Sequence, residues 1–351
     1  MREQFLPFWE SWDAINREFY SQPIPPEQLI EGAITGMLAT LEDEHTAYLT
    51  PEEEEASRQQ MEQEFQGIGA EVESNEGNIT IVSPFEGSPA EAAGLRPRDI
   101  IRSADGVDLT GMDVSEAAAL VRGPAGTEVR LVIERDGEPF EITITRAKIN
   151  IPSVRGEMLE NNIAYVRLSR FADKTTAELE ETLTTLMAQN PTGLILDLRG
   201  NPGGGLYTVV QVADQFLPES VVLIERFGTG EEQLFEATDS GLAQDVPLVV
   251  LVDEGSASAS EVLAGAIRDH GRGTLVGQTT YGKGTVQNWL SLSNGGGLRL
   301  TTARWLTPDG NWVHTVGLVP DVSVALPDTP PGEPFVDTQL EEALQLLGAE
   351  Q

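Results

Sequence analysis

Three serines and one lysine carry the chemistry this chain can do. Ser256, Ser258 and Ser260 lie in the turn Asp253-Glu-Gly-Ser-Ala-Ser-Ala-Ser260, between the apolar run 247–252 and the helical pattern 261–270. The apolar run is short and β-branched, which predicts a buried strand. A strand that turns sharply into a helix sets the turn residues at the helix N-terminus. Unpaired N–H groups and the positive end of the dipole meet there and stabilise developing negative charge. Lys283 follows downstream in Tyr281-Gly-Lys-Gly284. An amine in an apolar, glycine-rich pocket loses the water that favours its charged form, and once neutral it can take a hydroxyl proton. Serine and lysine so placed are the parts of a nucleophile and its base. Gln287, four residues beyond Lys283, lies on the same face of the chain if 285–290 is extended.

Two simpler readings compete. Ser258-Ala-Ser-Glu261 also fits a capping box, in which both side chains serve only to satisfy donors at a helix start. The two readings are compatible, since one turn can cap a helix and carry a nucleophile. Gly277-Gln-Thr-Thr-Tyr-Gly-Lys283 matches a phosphate-binding loop up to its lysine, but that loop needs Ser or Thr next and then a helix. Here Gly284 follows, and Thr285-Val-Gln-Asn-Trp-Leu290 reads as a strand, which sets nucleotide binding aside.

The run Gly255-Ser-Ala-Ser-Ala-Ser-Glu261, with Gly282-Lys-Gly-Thr-Val-Gln287 downstream, resembles the carboxy-terminal processing peptidases, or tail-specific proteases. The resemblance implies that Ser258 is the nucleophile, Lys283 the general base and Gln287 the residue that orients the lysine. It also implies that Arg199-Gly-Asn-Pro-Gly-Gly-Gly205 supplies the oxyanion hole, an N–H of Gly203 or Gly204 joining that of Ala259. Asp197 and Arg199 read as an ion pair or loop anchor rather than catalysts. His45, His270 and His314 have no local motif that favours a Ser-His-Asp triad.

Composition narrows the classes. The chain has 351 residues, long enough for two or three domains. Its 57 acidic against 22 basic side chains give a net charge of −35, a surface that repels nucleic acid and anionic membrane. There is no cysteine, so disulfides, thiolate metal sites and a cysteine nucleophile are all excluded. No metal and no cofactor are expected. No run of about twenty apolar residues is present to span a bilayer, and the first ten residues lack the pattern of a signal peptide. The resemblance implies an extracytoplasmic protein, periplasmic or in the cell envelope, and Met1 directly before a mature-looking segment points to a trimmed leader.

The elements that position these residues fall into four parts. Residues 1–65 read as a helical N-terminal region. Phe5, Phe8, Trp9, Trp12, Ile15 and Phe19 form an aromatic stripe for a core or a subunit contact, a second helix spans 27–41, and a charged helix spans 52–64. Residues 66–147 resemble a PDZ domain, with the loop Gln66-Gly-Ile-Gly-Ala-Glu71, a short helix ending at Gly94, a helix over 114–122 and a hairpin near Gly137. That resemblance implies an extended peptide added to a sheet edge, its terminal carboxylate held by N–H groups of Gly67, Ile68 and Gly69. Residues 148–328 alternate strand and helix, and the family resemblance implies that they form a crotonase-like α/β peptidase core. Residues 329–351 are a linker and a last amphipathic helix.

The expected activity is therefore a serine endopeptidase cutting proteins with exposed apolar C-terminal tails. The alternative is a catalytically silent PDZ scaffold that binds tails without cutting. Arg122, at the end of a PDZ helix, is the candidate for a regulatory contact with the core. A homodimer through the N- and C-terminal helices is a further expectation.

Overall fold

The computed structural model describes residues 3–349 apart from 22, 62–63, 76, 86, 136, 151 and 328–335. It contains two compact units: residues 1–56, 225–233 and 284–305 form one, and the remainder of the chain forms the other.

At the N-terminus, α1 (Leu6–Glu18) carries the aromatic stripe, but none of its residues is buried. Phe8, Trp9 and Trp12 pack on one another edge-on and stacked, and Trp9 stays 56% exposed. A core role for this stripe is thus not what the chain shows. Next come α2 (Pro26–Ala39), β1 (Ala47–Leu49) and α3 (Pro51–Met61). Thr50 and Glu53 start α3 with a reciprocal capping box, at 2.9 and 3.2 Å. The charged helix expected to reach residue 64 ends at Met61, and Glu64 already belongs to a strand.

The PDZ region follows: β2 (Glu64–Gly67), β3 (Ala70–Asn75), β4 (Asn78–Pro84), α4 (Pro89–Ala92), β5 (Ile100–Ala104), β6 (Val107–Asp108), α5 (Val114–Val121), β7 (Glu128–Arg135), β8 (Glu138–Thr145) and β9 (Ala147–Asn150). The antiparallel order β3-β4-β5-β7-β8 leaves β3 at one edge, and β2 pairs with β9. Ile79, Ile81, Leu131 and Ile133 fill the core beneath α5. Ser88 caps α4 and Asp113 caps α5.

The peptidase region begins with β10 (Val154–Met158), β11 (Ile163–Leu168), α6 (Thr175–Met187), β12 (Gly193–Asp197) and α7 (Leu206–Ala213). It continues with β13 (Ser220–Phe227), β14 (Glu232–Ala237), β15 (Leu248–Val252), α8 (Ala259–Asp269) and β16 (Thr274–Gly277), then β17 (Thr285–Ser291), β18 (Gly297–Leu306), β19 (Val322–Ser323) and α9 (Thr338–Ala349). The hairpin β13–β14 lies in a stretch to which the sequence reading assigns no element, although Val221-Val-Leu-Ile224 is a β-branched run.

One sheet has the order β10-β11-β12-β15-β16-β19, parallel except for the β10–β11 pair. Ile195, Val249, Leu251 and Val276 on one face pack with Ala343 and Leu347 of α9. Leu194, Leu196, Val250 and Leu275, alternating onto the other face, are fully buried too, as a doubly covered parallel sheet requires. Burying Leu347 contributes about 1.5–3 kcal/mol. The apolar face of α9 is buried in this core, so that face is not free for the expected subunit contact.

In the other unit, β18 pairs antiparallel with β1 on one side and with β17 on the other. A bulge between Val286 and Gln287 re-aims the side chains of β17 at that point.

Candidate active site

Two strand-to-helix turns leave neighbouring parallel strands at the same end of the sheet, the place where open α/β sheets present their sites. Asp197 of β12 lies opposite Leu251 of β15. After β12 the chain forms the glycine loop 199–205 and enters α7; after β15 it forms the serine turn 253–258 and enters α8.

Solvent access separates the three serines. Ser256 and Ser260 are fully buried, and Ser258 is only half-buried. The Ser256 hydroxyl donates to the Leu198 carbonyl at 2.8 Å and the Ser260 hydroxyl to the Asn201 carbonyl at 2.9 Å. Both therefore tie the serine turn to the glycine loop. Ser258 instead has φ 54° and ψ −114°, outside the comfortable region for a side-chain-bearing residue. Such a backbone costs on the order of 1–3 kcal/mol and lifts the residue out of the regular strand-to-helix path.

A single carboxylate holds the serine turn and the lysine loop together. Glu261, fully buried in the first turn of α8, accepts the Ser258 N–H at 2.8 Å and the Lys283 N–H at 2.9 Å on Oε2. Its Oε1 accepts the Gly282 N–H at 2.7 Å and the Thr280 hydroxyl at 2.6 Å. So the return half of the capping box is made, and the same side chain also fixes the backbone of the lysine loop 22 positions on. Charge-assisted bonds of this kind are about twice as strong as neutral ones. The sequence reading assigns Glu261 to capping alone; its position directly after the Ser-Ala-Ser-Ala-Ser run was the only available signal.

The glycine loop lies close against Ser258 and Ala259. A Cβ on Gly203 would come within 2.9 Å of both the Ala259 nitrogen and the Ser258 Cβ, so no side chain fits there. The Gly203 N–H, however, donates to Asn201 Oδ1 at 2.9 Å, which engages it elsewhere. The N–H groups of Gly204 and Ala259 have no acceptor among the described residues. Asn201 organises the loop: its amide donates to the Leu168 carbonyl, and its own carbonyl accepts the Ala257 N–H at 3.0 Å.

At the loop's start, Asp197 and Arg199 form the ion pair read from the sequence, at 2.7 Å and with Asp197 fully buried. Tyr165 donates to the same carboxylate at 2.6 Å, and burial followed by the Asp197 charge pushes its pKa up to about 12. Gln287 belongs to the other unit, where its amide donates to the hydroxyls of Thr285 at 2.8 Å and Thr301 at 3.3 Å. His270 contacts the Val221 carbonyl at the end of α8, and His314 stacks on Trp312.

The PDZ region holds a separate groove of about 280 Å³ between β3 and α5. Its walls are apolar, with Ile79, Ile101, Ala117 and Val121 among them, and Gly67, Ile68 and Gly69 close one end. The N–H groups of Ile68 and Gly69 have no acceptor among the described residues. Arg122 lines the same groove, its Cγ 3.7 Å from where a Cβ on Gly67 would stand. The two candidate sites are thus of opposite kinds, an apolar groove with a backbone end and a polar network around one serine.

The chain matches the family described as Peptidase family S41 over residues 162–324, PDZ domain over 80–135, and Activating protease CtpB N-terminal domain over 3–53. It is 37% identical over 321 residues to the carboxy-terminal processing protease CtpA of Bacillus subtilis (strain 168), covering 91% of this chain and 68% of that one. It is 38% identical over 348 residues to the carboxyl-terminal-processing protease of Synechocystis sp., covering 96% and 81%. Among solved structures, the photosystem II D1 C-terminal processing protease is 31% identical with a TM-score of 0.58, covering 98% of this chain and 97% of that one. No helix among the described residues is long and apolar enough to cross a membrane. With its PDZ domain and serine-peptidase core, the chain belongs to the carboxy-terminal processing proteases of peptidase family S41.

Proposed function

We propose that this peptidase cuts proteins near their C-termini through a Ser258–Lys283 pair, with the PDZ groove selecting the tail. The observation that carries this reading is the shared carboxylate. Of the three serines, the one that reaches solvent is also the one whose backbone Glu261 ties to the backbone of Lys283.

In this reading the Lys283 amine takes the Ser258 hydroxyl proton as Oγ attacks the scissile carbonyl. The N–H groups of Ala259 and Gly204 hold the oxyanion. Lys283 then returns the proton to the leaving amine, and water, activated by the same amine, releases the acyl group. Gln287 orients the lysine. The tail adds along the free edge of β3, its carboxylate on the N–H groups of Ile68 and Gly69 and its last apolar side chain in the groove. Substrates are proteins with exposed apolar tails, met in an extracytoplasmic compartment. Arg122, at the groove, is the regulatory candidate, and the exposed face of α1 is what a homodimer would use.

The test is turnover of a protein bearing an unstructured apolar tail, with fragments identified by mass. The parent should release C-terminal fragments and Ser258→Ala none. Equal cleavage by Ser258→Ala would reject the assignment, and binding without any cleavage by the parent would favour the silent scaffold.

A further inference from the structure

We infer that Asp337, at the start of the C-terminal helix, is a positioning residue for the catalytic loop, acting through Arg199. The inference rests on the peptidase reading above and adds a part to its machinery that no motif marks.

Arg199 is the first residue of the glycine loop, and its guanidinium is gripped from two sides. Asp197 accepts from Nε at 3.0 Å and Nη2 at 2.7 Å. Asp337, 138 positions later, accepts from Nη1 and Nη2, both at 2.8 Å, a bidentate fork. Gln339 adds a third contact at 3.1 Å. Asp337 is itself fixed, because its Oδ1 caps α9 through the Leu340 N–H at 3.0 Å. Burial works against its charge, yet the Arg199 bonds and the helix-start N–H groups outweigh burial and lower its pKa. The fork is therefore intact at neutral pH.

What Arg199 holds is the approach to the nucleophile. The next residue, Gly200, donates its N–H to Asp253 at 2.8 Å, and Asp253 also accepts the Gly255 N–H on its carboxylate and the Ser256 N–H on its carbonyl. Asn201 then receives the Ala257 N–H and the Ser260 hydroxyl on its carbonyl. A shift of Arg199 is passed through two residues to both flanks of Ser258. Without Asp337, half of a nearly buried guanidinium is left without its charge partner, and the loop must move to re-solvate it. A displacement near 1 Å at a reacting centre can cost on the order of a hundredfold in rate.

The experiment is steady-state cleavage of a short peptide that needs no tail recruitment, by the full chain and four variants. Asp337→Asn keeps the shape and an oxygen for the cap but removes the charge. It should lower kcat at least about tenfold with KM within about twofold, the signature of an interaction felt in the transition state. Asp337→Glu should restore part of kcat. Leu347→Ala, which loosens α9 in the core without touching Arg199, controls for destabilisation and should keep the parental kcat in the folded protein. A parental kcat in Asp337→Asn, or an equal loss in Leu347→Ala, overturns the inference. A parent as inactive as Ser258→Ala would instead reject the peptidase reading on which it stands.

Discussion

The PDZ groove and the serine turn lie in one compact unit and solve opposite problems. The groove presents apolar walls and, at one end, backbone N–H groups. As the proposed tail site it would accept many tails, because apolar burial has no direction and every peptide has the same backbone. The serine turn leaves almost nothing unpaired. Ser256, Ser260, Asn201, Asp253 and Glu261 each bridge two segments, and Ser258 joins the lattice they make through its backbone while it stays half-buried. In the proposed reading, recognition tolerates variation and catalysis requires a fixed geometry. Substitutions in the two places should therefore fail differently.

The largest effect tests whether the sites are separable. Lys283→Ala and Ser258→Ala should each reduce turnover by about 10⁴-fold or more, while a fluorescent tail peptide binds as tightly as to the parent. Loss of tail binding in either variant would show that the two sites are one. Next comes Glu261→Gln, which keeps the shape but removes the charge and turns one acceptor into a donor among four donors. A loss of about 10²–10³-fold in kcat is expected, with KM little changed. A near-parental kcat would mean that the shared carboxylate does not hold the geometry.

A smaller effect belongs to the groove. Ala118→Trp fills the space beside β3 and should raise KM for a tailed protein about tenfold or more, leaving kcat on a short untailed peptide unchanged. If the short peptide also slows, the groove does more than recruit, and Arg122 becomes the residue to test next.

The smallest effect is a pH signature confined to the polar network. Tyr165 is held protonated up to about pH 12, whereas an unfolded tyrosine ionises near 10. Between those values the unfolded chain releases a proton that the folded chain keeps. The stabilisation is full below pH 10 and is lost as pH rises toward 12. The melting temperature of the parent should fall over that interval by a few degrees more than that of Tyr165→Phe. Identical alkaline slopes would mean that Tyr165 is not coupled to Asp197 in solution.

What the sequence by itself determined is what neighbouring residues decide among themselves. The β-branched run ahead of the serine turn, the helix after it, the glycines at close approaches and the strand after Lys283 all follow from short-range backbone preference and hydrophobic period. The Ser and Lys types and the Asp197–Arg199 pair were legible for the same reason, since their partners lie within a few residues or within a motif. Tertiary structure alone decided the rest. It paired the Ser256 hydroxyl with Leu198 and the Ser260 hydroxyl with Asn201, on the neighbouring turn, and left Ser258 half-buried. It engaged the Gly203 N–H with Asn201, whereas that of Gly204 has no acceptor among the described residues. It gave Glu261 the lysine loop as well as the cap, and it brought Asp337 to Arg199 across 138 positions. Such contacts depend on the order of strands in the sheet and on which face each helix covers. No local pattern encodes that order, because it emerges only when distant apolar faces are buried together.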